Sequence, residues 1–440
     1  MTLIISILIL IISLLGCMLL HLDLVYGLVV GMFVFMAAAL RSGFRMKDIL
    51  RMMWDGIRES FIVVGVLLII GGMTGIWRGC GTIPLLVSYG TELIHPKLFI
   101  LFAFLLPMAV SYLIGTSFGT AASIGVVMML LCRMSSADPV LTAGAVMSGI
   151  FFGDRASPAS SCAHLNAHLT KTEIYGNVRL MLKDCVPAAL ISIGAYLLLS
   201  LKNPVTSVNT NVLDRIREQF TFTPLLLIPA LIILIAPLFR INIKAAMGAS
   251  ILCGAVMAVA IQKMDLSGLL RTILLGYEAE GELESLLSGG GVRSMAHACI
   301  MIIISATYSG IFNGTQMHSG IESALEKFSE KTSLPVMTLL TGIPMIMFSC
   351  NQTLALMLQV PLIRPIYEKR GISHEKLMLD LSDTTVLLSG MIPWCLACSM
   401  PLEMLNASPA CLPFSFFLYL PALTALFREF LRSRKGGSPA

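Results

Sequence analysis

Asp154 and Asp383 are the residues on which chemistry could turn. Each lies beside long apolar sequence, in Phe151-Phe152-Gly153-Asp154 and in Leu381-Ser382-Asp383-Thr384-Thr385. A carboxylate inside an apolar run is expensive in a bilayer, and such residues mark ion pathways and proton relays. Upstream of each, polar and helix-breaking sequence interrupts a hydrophobic run: Gly115-Thr116-Ser117-Phe118-Gly119-Thr120 before Asp154, and Ser349-Cys350-Asn351-Gln352-Thr353 before Asp383. Unwound backbone is tolerated in lipid only where it is buried or lines a cavity. Hydroxyls and amides at such a break can replace an ion's hydration shell, while opposed half-helix ends supply carbonyls and dipoles. Thr116, Ser117, Asn351, Gln352 and Thr353 are therefore expected to line one central cavity. Asp383, flanked by Ser382 and Thr384, is expected to exchange a proton for a cation. For any single Ser or Thr the alternative is a kinked helix with a hydrogen-bonded hydroxyl, and for the glycines it is packing.

Other chemistries find little support. The chain has no HExxH, no GxSxG, no GxGD and no Walker A motif, which argues against an intramembrane hydrolase or an ATP-driven pump. Cys395 and Cys398 form a lone CxxC without a second ligand pair, and the eleven cysteines are scattered through apolar stretches as small buried hydrophobes. His164 and His168 are spaced i, i+4 as on one helix face, but a metal site would need a third and a fourth ligand.

The elements that must position these residues are membrane spans. Of 440 residues 56% are hydrophobic, 12% are charged, and the mean hydropathy is +0.87. No soluble fold hides that much apolar surface, so a soluble enzyme, a nucleic-acid binder and a disordered scaffold are excluded. At about 20 residues per crossing the apolar runs amount to about 10–12 transmembrane helices. The chain divides into a first transmembrane repeat (1–201), a polar connector (202–221) and a second repeat (222–440). The expected fold is an all-α polytopic membrane protein built from two inverted-topology repeats with broken or re-entrant helices. Residues 3–20 read as a retained first span rather than a signal peptide. Basic residues cluster near 41–58, near 364–376 and in the tail from Arg428 to Lys435. The positive-inside rule then places both termini in the cytoplasm of a bacterial inner-membrane protein. The acidic stretch with Glu278, Glu280, Glu282 and Glu284 reads as a solvated loop or surface helix.

Several short motifs, in their order and spacing, resemble the NhaC-type sodium/proton antiporters of the ion transporter superfamily. They are Gly75-Ile76-Trp77 with Gly81-Thr82-Ile83-Pro84; Gly115-Thr116-Ser117-Phe118-Gly119-Thr120; Gly153-Asp154-Arg155-Ala156-Ser157-Pro158; Asn351-Gln352-Thr353; and Asp383 followed by Ile392-Pro393-Trp394. The resemblance covers most of the chain. It implies an inverted-repeat fold and proton-coupled sodium exchange, and it extends to exchangers of malate and lactate. The candidate ion-binding set is then Thr116, Ser117, Asp154, Ser157, Ser160, Ser161, His164, Asn351, Gln352, Thr353, Asp383, Thr384 and Thr385. No cofactor is expected beyond the coupling ions H+ and Na+, the sodium held at Asp383 and Asp154. The expected partners are a small ion or small organic substrate and the lipid bilayer. A second copy of the chain is a further candidate partner, and no nucleic acid is expected.

The sequence also departs from the family pattern. After Ser157-Pro158 the family reads a small or apolar residue, Ser, then Asp-Thr-Thr-Asn, where this chain has Ala159-Ser160-Ser161-Cys162-Ala163-His164. A carboxylate has become Ser161 and an amide has become His164. After Pro393-Trp394 the family often has Asn, and here it is Cys395. The loss of one anionic oxygen and the gain of an imidazole favour an organic anion or amino acid over sodium at the first-half site, with Arg155 as a candidate carboxylate partner or as a structural ion pair. On this expectation Ser161→Asp raises sodium dependence.

Overall fold

Long apolar runs punctuated by capping residues produce an all-helical chain. A computed structural model describes residues 2–20, 22–205, 210–239, 241–279, 283–315 and 332–434. Glu280, Glu282 and Lys435 lie outside these. Helix starts follow local chemistry. Asp23 accepts from Val25 N at 2.9 Å and opens helix Leu24–Arg41. Asp138, followed by Pro139, accepts from Val140 N and Leu141 N at 2.7 and 3.1 Å and opens Pro139–Ala156. Glu173 opens Ile174–Lys202 in the same way. Each such cap stabilises its helix by about 1 kcal/mol.

Among the described residues, six helices are individually long and apolar enough to cross a membrane, or up to eight if two bent pairs each count as one span. The number falls below the expected crossings because several runs are split by bends or end short of a full crossing. The pattern of elements repeats. Helices Thr2–Leu19, Leu24–Arg41 and Met46–Gly79 precede a hairpin made of Phe99–Ile114 and Ser117–Arg133. A broken helix follows, Pro139–Ala156 then Ser161–Thr170, and after it the long helix Ile174–Lys202. In the second half, Pro224–Ile235, Ile243–Ala260 and Ala296–Thr315 precede a hairpin made of Leu334–Ser349 and Gln352–Lys369. Then come a broken helix, His374–Met391 and Leu396–Leu405 bent by 48°, and a last helix, Phe416–Arg434.

The halves are interlocked by exchange. Helix 24–41 packs on helix 296–315, with Phe35 stacked on Tyr308 at 5.7 Å. The corresponding helix 243–260 packs on helix 46–79, where Trp77 Nε1 donates to Ser250 Oγ at 2.9 Å. Helices 46–79 and 296–315 cross at Gly56 and Gly310, so closely that a Cβ on Gly56 would lie 2.2 Å from Ala306 O. Small residues at a crossing let two backbones approach in a membrane, where packing replaces the hydrophobic drive.

Contacts between arms fix the direction of each hairpin. The arm 99–114 runs parallel to helix 139–156, since Phe104 O neighbours Gly149 and Ser111 neighbours Gly153. The first hairpin thus enters and leaves on the face of the protein that carries Arg133 and Asp138. In the second hairpin, Gln359 Nε2 donates to Thr338 O at 2.7 Å, and Tyr367 OH lies 2.8 Å from Thr338 Oγ1. Its base is on the face that carries Arg364 and Arg370. The broken helices link these faces. Helix 161–170 reaches the base of the second hairpin, where Arg364 Nη1 donates to Leu169 O at 3.3 Å. Helix 396–405 reaches the base of the first, where Arg133 Nη2 donates to Leu405 O at 3.0 Å. The hairpins therefore enter from opposite faces and their tips meet inside, as inverted repeats require.

Candidate functional site

The two hairpin tips have nearly the same backbone. Gly115 (φ 76°, ψ 19°) and Cys350 (φ 51°, ψ 13°) are left-handed, while Thr116 (φ −146°, ψ 132°) and Asn351 (φ −144°, ψ 124°) are extended. At Gly115 the residue type is dictated twice, because a Cβ there would sit 2.5 Å from Ala159 C. Cys350 takes the same turn with a side chain, and its thiol lies 2.9 Å from Tyr308 OH. Asn351 Oδ1 accepts from Thr353 N and Leu354 N at 2.9 and 3.3 Å and caps the second arm. Thr116 makes no such cap; its carbonyl accepts from Thr120 Oγ1 at 2.8 Å.

The tips converge on Asp154. Ser117 Oγ, from the first tip, donates to Asp154 Oδ2 at 2.9 Å. The side chain of Gln352, from the second tip, lies close to Asp154, while its Nε2 donates to Val386 O at 2.9 Å. Ser160 Oγ donates to the Asp154 carbonyl at 2.7 Å and accepts from Ala163 N. Asp154 is buried, and among the described residues no Lys, Arg or His lies within ion-pair distance of it. A buried carboxylate held only by neutral donors is the arrangement that a proton or a desolvated cation completes.

Asp383 is placed differently. It lies in a π-helical turn, Ser382–Val386, an irregularity frequent at functional sites. Arg155 Nη2 donates to Asp383 Oδ1 at 2.5 Å and to Asp184 Oδ2 at 3.1 Å. Arg155 Nε adds a bond to Asp383 Oδ1 at 2.9 Å, and Nη1 donates to Met181 O at 2.7 Å. Arg428 Nη1 pairs with Asp184 Oδ1 at 2.6 Å. Asp380, nearby, is held by Lys376 Nζ at 2.5 Å and Tyr367 OH at 2.8 Å. A cleft of about 150 Å³ lined by Asp184, Asp380, Asp383 and Arg428 leads to this cluster. Arg155 thus joins the halves by gripping a carboxylate of the other half, not the neighbouring Asp154. The two carboxylates are also out of register. Asp154 lies three residues before its break at Ser157, and Asp383 nine before the break at Ile392.

The remaining candidates divide. Asn351 and Thr353 line a cavity of about 180 Å³ with Ser60, Ser305, Ser309 and Glu59, whereas Thr116, Ser117 and Gln352, expected to share one cavity with them, are not among its lining residues. Ser157 Oγ donates to Tyr112 O at 2.6 Å, so it secures the break rather than facing an ion. Thr384 Oγ1 donates to Asp380 O at 2.6 Å, and Thr385 Oγ1 donates to Gln359 Oε1. Ser161 and His164 lie on the outward face of helix 161–170. Ser160 caps helix 161–170 and so sets its phase. Cys162, Ala163, Asn166 and Ala167 turn inward, whereas Ser161, His164 and His168 are exposed. His164 Nε2 lies 3.0 Å from Pro158 O. Sequence reasoning missed Asp184, Asp380 and Glu59. Asp184 begins an apolar run, and Glu59 ends a basic one within the single long helix 46–79. Only the partner Arg155 distinguishes Asp184 from an interfacial acid.

The chain is similar to known transporters over most of its length. It is 27% identical over 391 residues to the "Na(+)/H(+) antiporter NhaC" of Alkalihalophilus pseudofirmus, covering 87% of this chain and 84% of that one. It is 26% identical over 376 residues to the "Malate-2H(+)/Na(+)-lactate antiporter" of Bacillus subtilis, covering 84% and 80%. It is 26% identical over 424 residues to the "Na(+)/H(+) antiporter NhaC" of the same organism, covering 94% of each chain. The model of the Na+/H+ antiporter family matches residues 1–163 and 149–427, a division at the broken helix that carries Asp154. With inverted hairpins meeting at a buried carboxylate and a family match across both halves, the chain belongs to the Na+/H+ antiporter family.

Proposed function

We propose that this protein exchanges sodium for protons across the bacterial inner membrane, with Asp154 as the carboxylate for which the two ions compete. The observation that carries this reading is a buried carboxylate that accepts from Ser117 of the first tip, has Gln352 of the second tip close by, and has no cationic partner among the described residues. Sodium is a hard ion that takes carboxylate, hydroxyl and amide oxygens, and Asp154, Ser117 and Gln352 offer these. A proton on Asp154 satisfies the same buried charge, so binding of one ion excludes the other. Asp383 is held by Arg155 and acts in the exchange through that ion pair. The chain moves its substrate without transforming it, and coupling uses the two ions alone.

In this reading 1–201 and 222–440 are the two repeats and 202–221 joins them. The face with the base of the second hairpin carries Arg364, Lys369, Arg370 and Lys376, together with Lys171 and the Arg41–Arg51 cluster. The positive-inside rule makes it cytoplasmic. Helices 2–19 and 24–41 are antiparallel, so Thr2 lies on this face, as does the end of helix 416–434. Exchange of small organic anions is the competing reading on this fold. Ser161 and His164, the residues that favour it at the first-half site, lie exposed on helix 161–170.

The test is proton movement in proteoliposomes. Sodium added to one side is expected to drive saturable proton counterflow in wild type and none in Asp154→Asn. Malate–lactate counterflow without any sodium response would replace sodium exchange by the organic-anion reading.

A further inference from the structure

Two guanidinium groups far from the hairpin tips share a second polar cavity. It measures about 200 Å³ and lies between the end of helix 46–79, the return arm 117–133 and the end of helix 396–405. Arg78 Nη1 donates to Ser288 O at 2.5 Å and to Leu287 O at 3.4 Å. Its Nε–H is buried and has no partner among the described residues. Arg133, on the opposite wall, donates through Nη2 to Leu405 O at 3.0 Å and to Asn406 O at 3.1 Å. Neither guanidinium is in an ion pair with a described residue, although Glu403 also lines the cavity.

Backbone carbonyls satisfy individual N–H groups but leave the net charge standing. Two cations facing one unengaged carboxylate in a partly desolvated space leave an uncompensated positive charge. The missing partner must be an anion with at least two oxygens, because guanidinium groups favour planar, charge-assisted hydrogen bonds to oxyanions. At about 30 Å³ per displaced water the cavity holds an acid of a few carbons or a phosphate group. We propose that this cavity is an oxyanion site, in which Arg78 Nε and the uncommitted N–H groups of Arg133 bind a carboxylate or phosphate. The oxyanion comes from solution or from a phospholipid headgroup, and it bridges the return arm of the first hairpin to helix 46–79.

Binding is read at equilibrium, without sodium and without a pH gradient, so the result does not depend on the exchange reaction. The purified full chain in detergent is titrated with choline salts of L-malate, L-lactate and phosphate while thermal unfolding is followed. The full chain in nanodiscs is compared with and without phosphatidylglycerol. A saturable rise in melting temperature is expected with at least one probe, and its apparent Kd is expected to increase at least tenfold in Arg133→Gln and in Arg78→Lys. Arg78→Lys keeps a donor for the carbonyls and removes the Nε–H, so lost binding in a folded variant is separable from lost structure. A response to phosphatidylglycerol alone, sensitive to both variants, assigns the headgroup as the source. A response to free anions assigns a solute. Absence of a saturable response to every probe, or responses that both variants leave unchanged, would overturn the site.

Discussion

The two hairpin tips carry the same backbone turn and different demands on the side chain. Gly115 and Cys350 are both left-handed, yet only at Gly115 does neighbouring chain, at Ala159 and Ser160, fill the space that a Cβ needs. At the second tip that space is open enough for a thiol, which Tyr308 engages. The carboxylates differ in the same spirit. Asp154 is held by the neutral Ser117 of the first tip, and Asp383 is locked by Arg155. The halves therefore share a frame while dividing the labour. One carboxylate has no cationic partner among the described residues, and the other ties the two halves together across a buried charge pair.

The sharpest way to break this comparison is to exchange the fates of the two carboxylates. Asp154→Asn is expected to lower sodium-driven proton flux at least about a hundredfold with the fold intact, as the loss of a buried intramembrane carboxylate implies. Flux near the wild-type level in the inserted variant would transfer the ion-binding role away from Asp154. Arg155→Met leaves Asp383 and half of Asp184 uncompensated, and breaking a buried pair costs about 3–5 kcal/mol. Thermal unfolding in detergent should show that loss. The double variant Arg155→Met with Asp383→Leu should recover most of it, since an apolar pair of similar volume is often tolerated. A double variant no more stable than the single one would mean that Arg155 acts mainly through Met181 and Asp184.

The tips give the next contrast. Gly115→Ala meets both an unfavourable left-handed backbone, about 1–2 kcal/mol, and overpacking against Ala159, about 1–3 kcal/mol. Cys350→Gly relieves the backbone and forfeits the thiol contact, so its stability should stay within about 1 kcal/mol of wild type. Equal losses at the two positions would show that the tips are not distinguished by packing. The smallest effect is expected from Ser161→Asp. On an exposed position of helix 161–170 it should leave the sodium dependence of flux unchanged within about twofold, a shift of roughly 0.4 kcal/mol. A lower apparent KM for sodium would place Ser161 on the ion path after all.

The breaks were legible in the sequence because Gly115-Thr116 and Cys350-Asn351 interrupt apolar runs, and a helix in lipid has no local substitute for a missing backbone partner. Asp154 was legible for a related reason, as a charge in a place where charge is costly. The phase of helix 161–170 was not. It depends on Ser160 capping that helix while also bonding to the Asp154 carbonyl, a contact across the break. The partner of Arg155 was equally hidden, because Asp383 comes from the other repeat and nothing in the local spacing of either residue names the other.

Composition alone made this a membrane protein, and the order of helix-breaking motifs made it a repeat with two interrupted elements. Both follow from short-range rules, the energy of apolar surface in water and of unpaired backbone in lipid. The tertiary structure decided which carboxylate stands free, which hydroxyls face it and where the arginines go. Those outcomes depend on which side chains from opposite repeats arrive at the same depth when the hairpins enter from opposite faces. A buried charge is settled by the sum of everything around it, and for Asp154 and Asp383 that sum includes residues distant in sequence, Ser117 for the one and Arg155 for the other, which meet them only once the chain has folded.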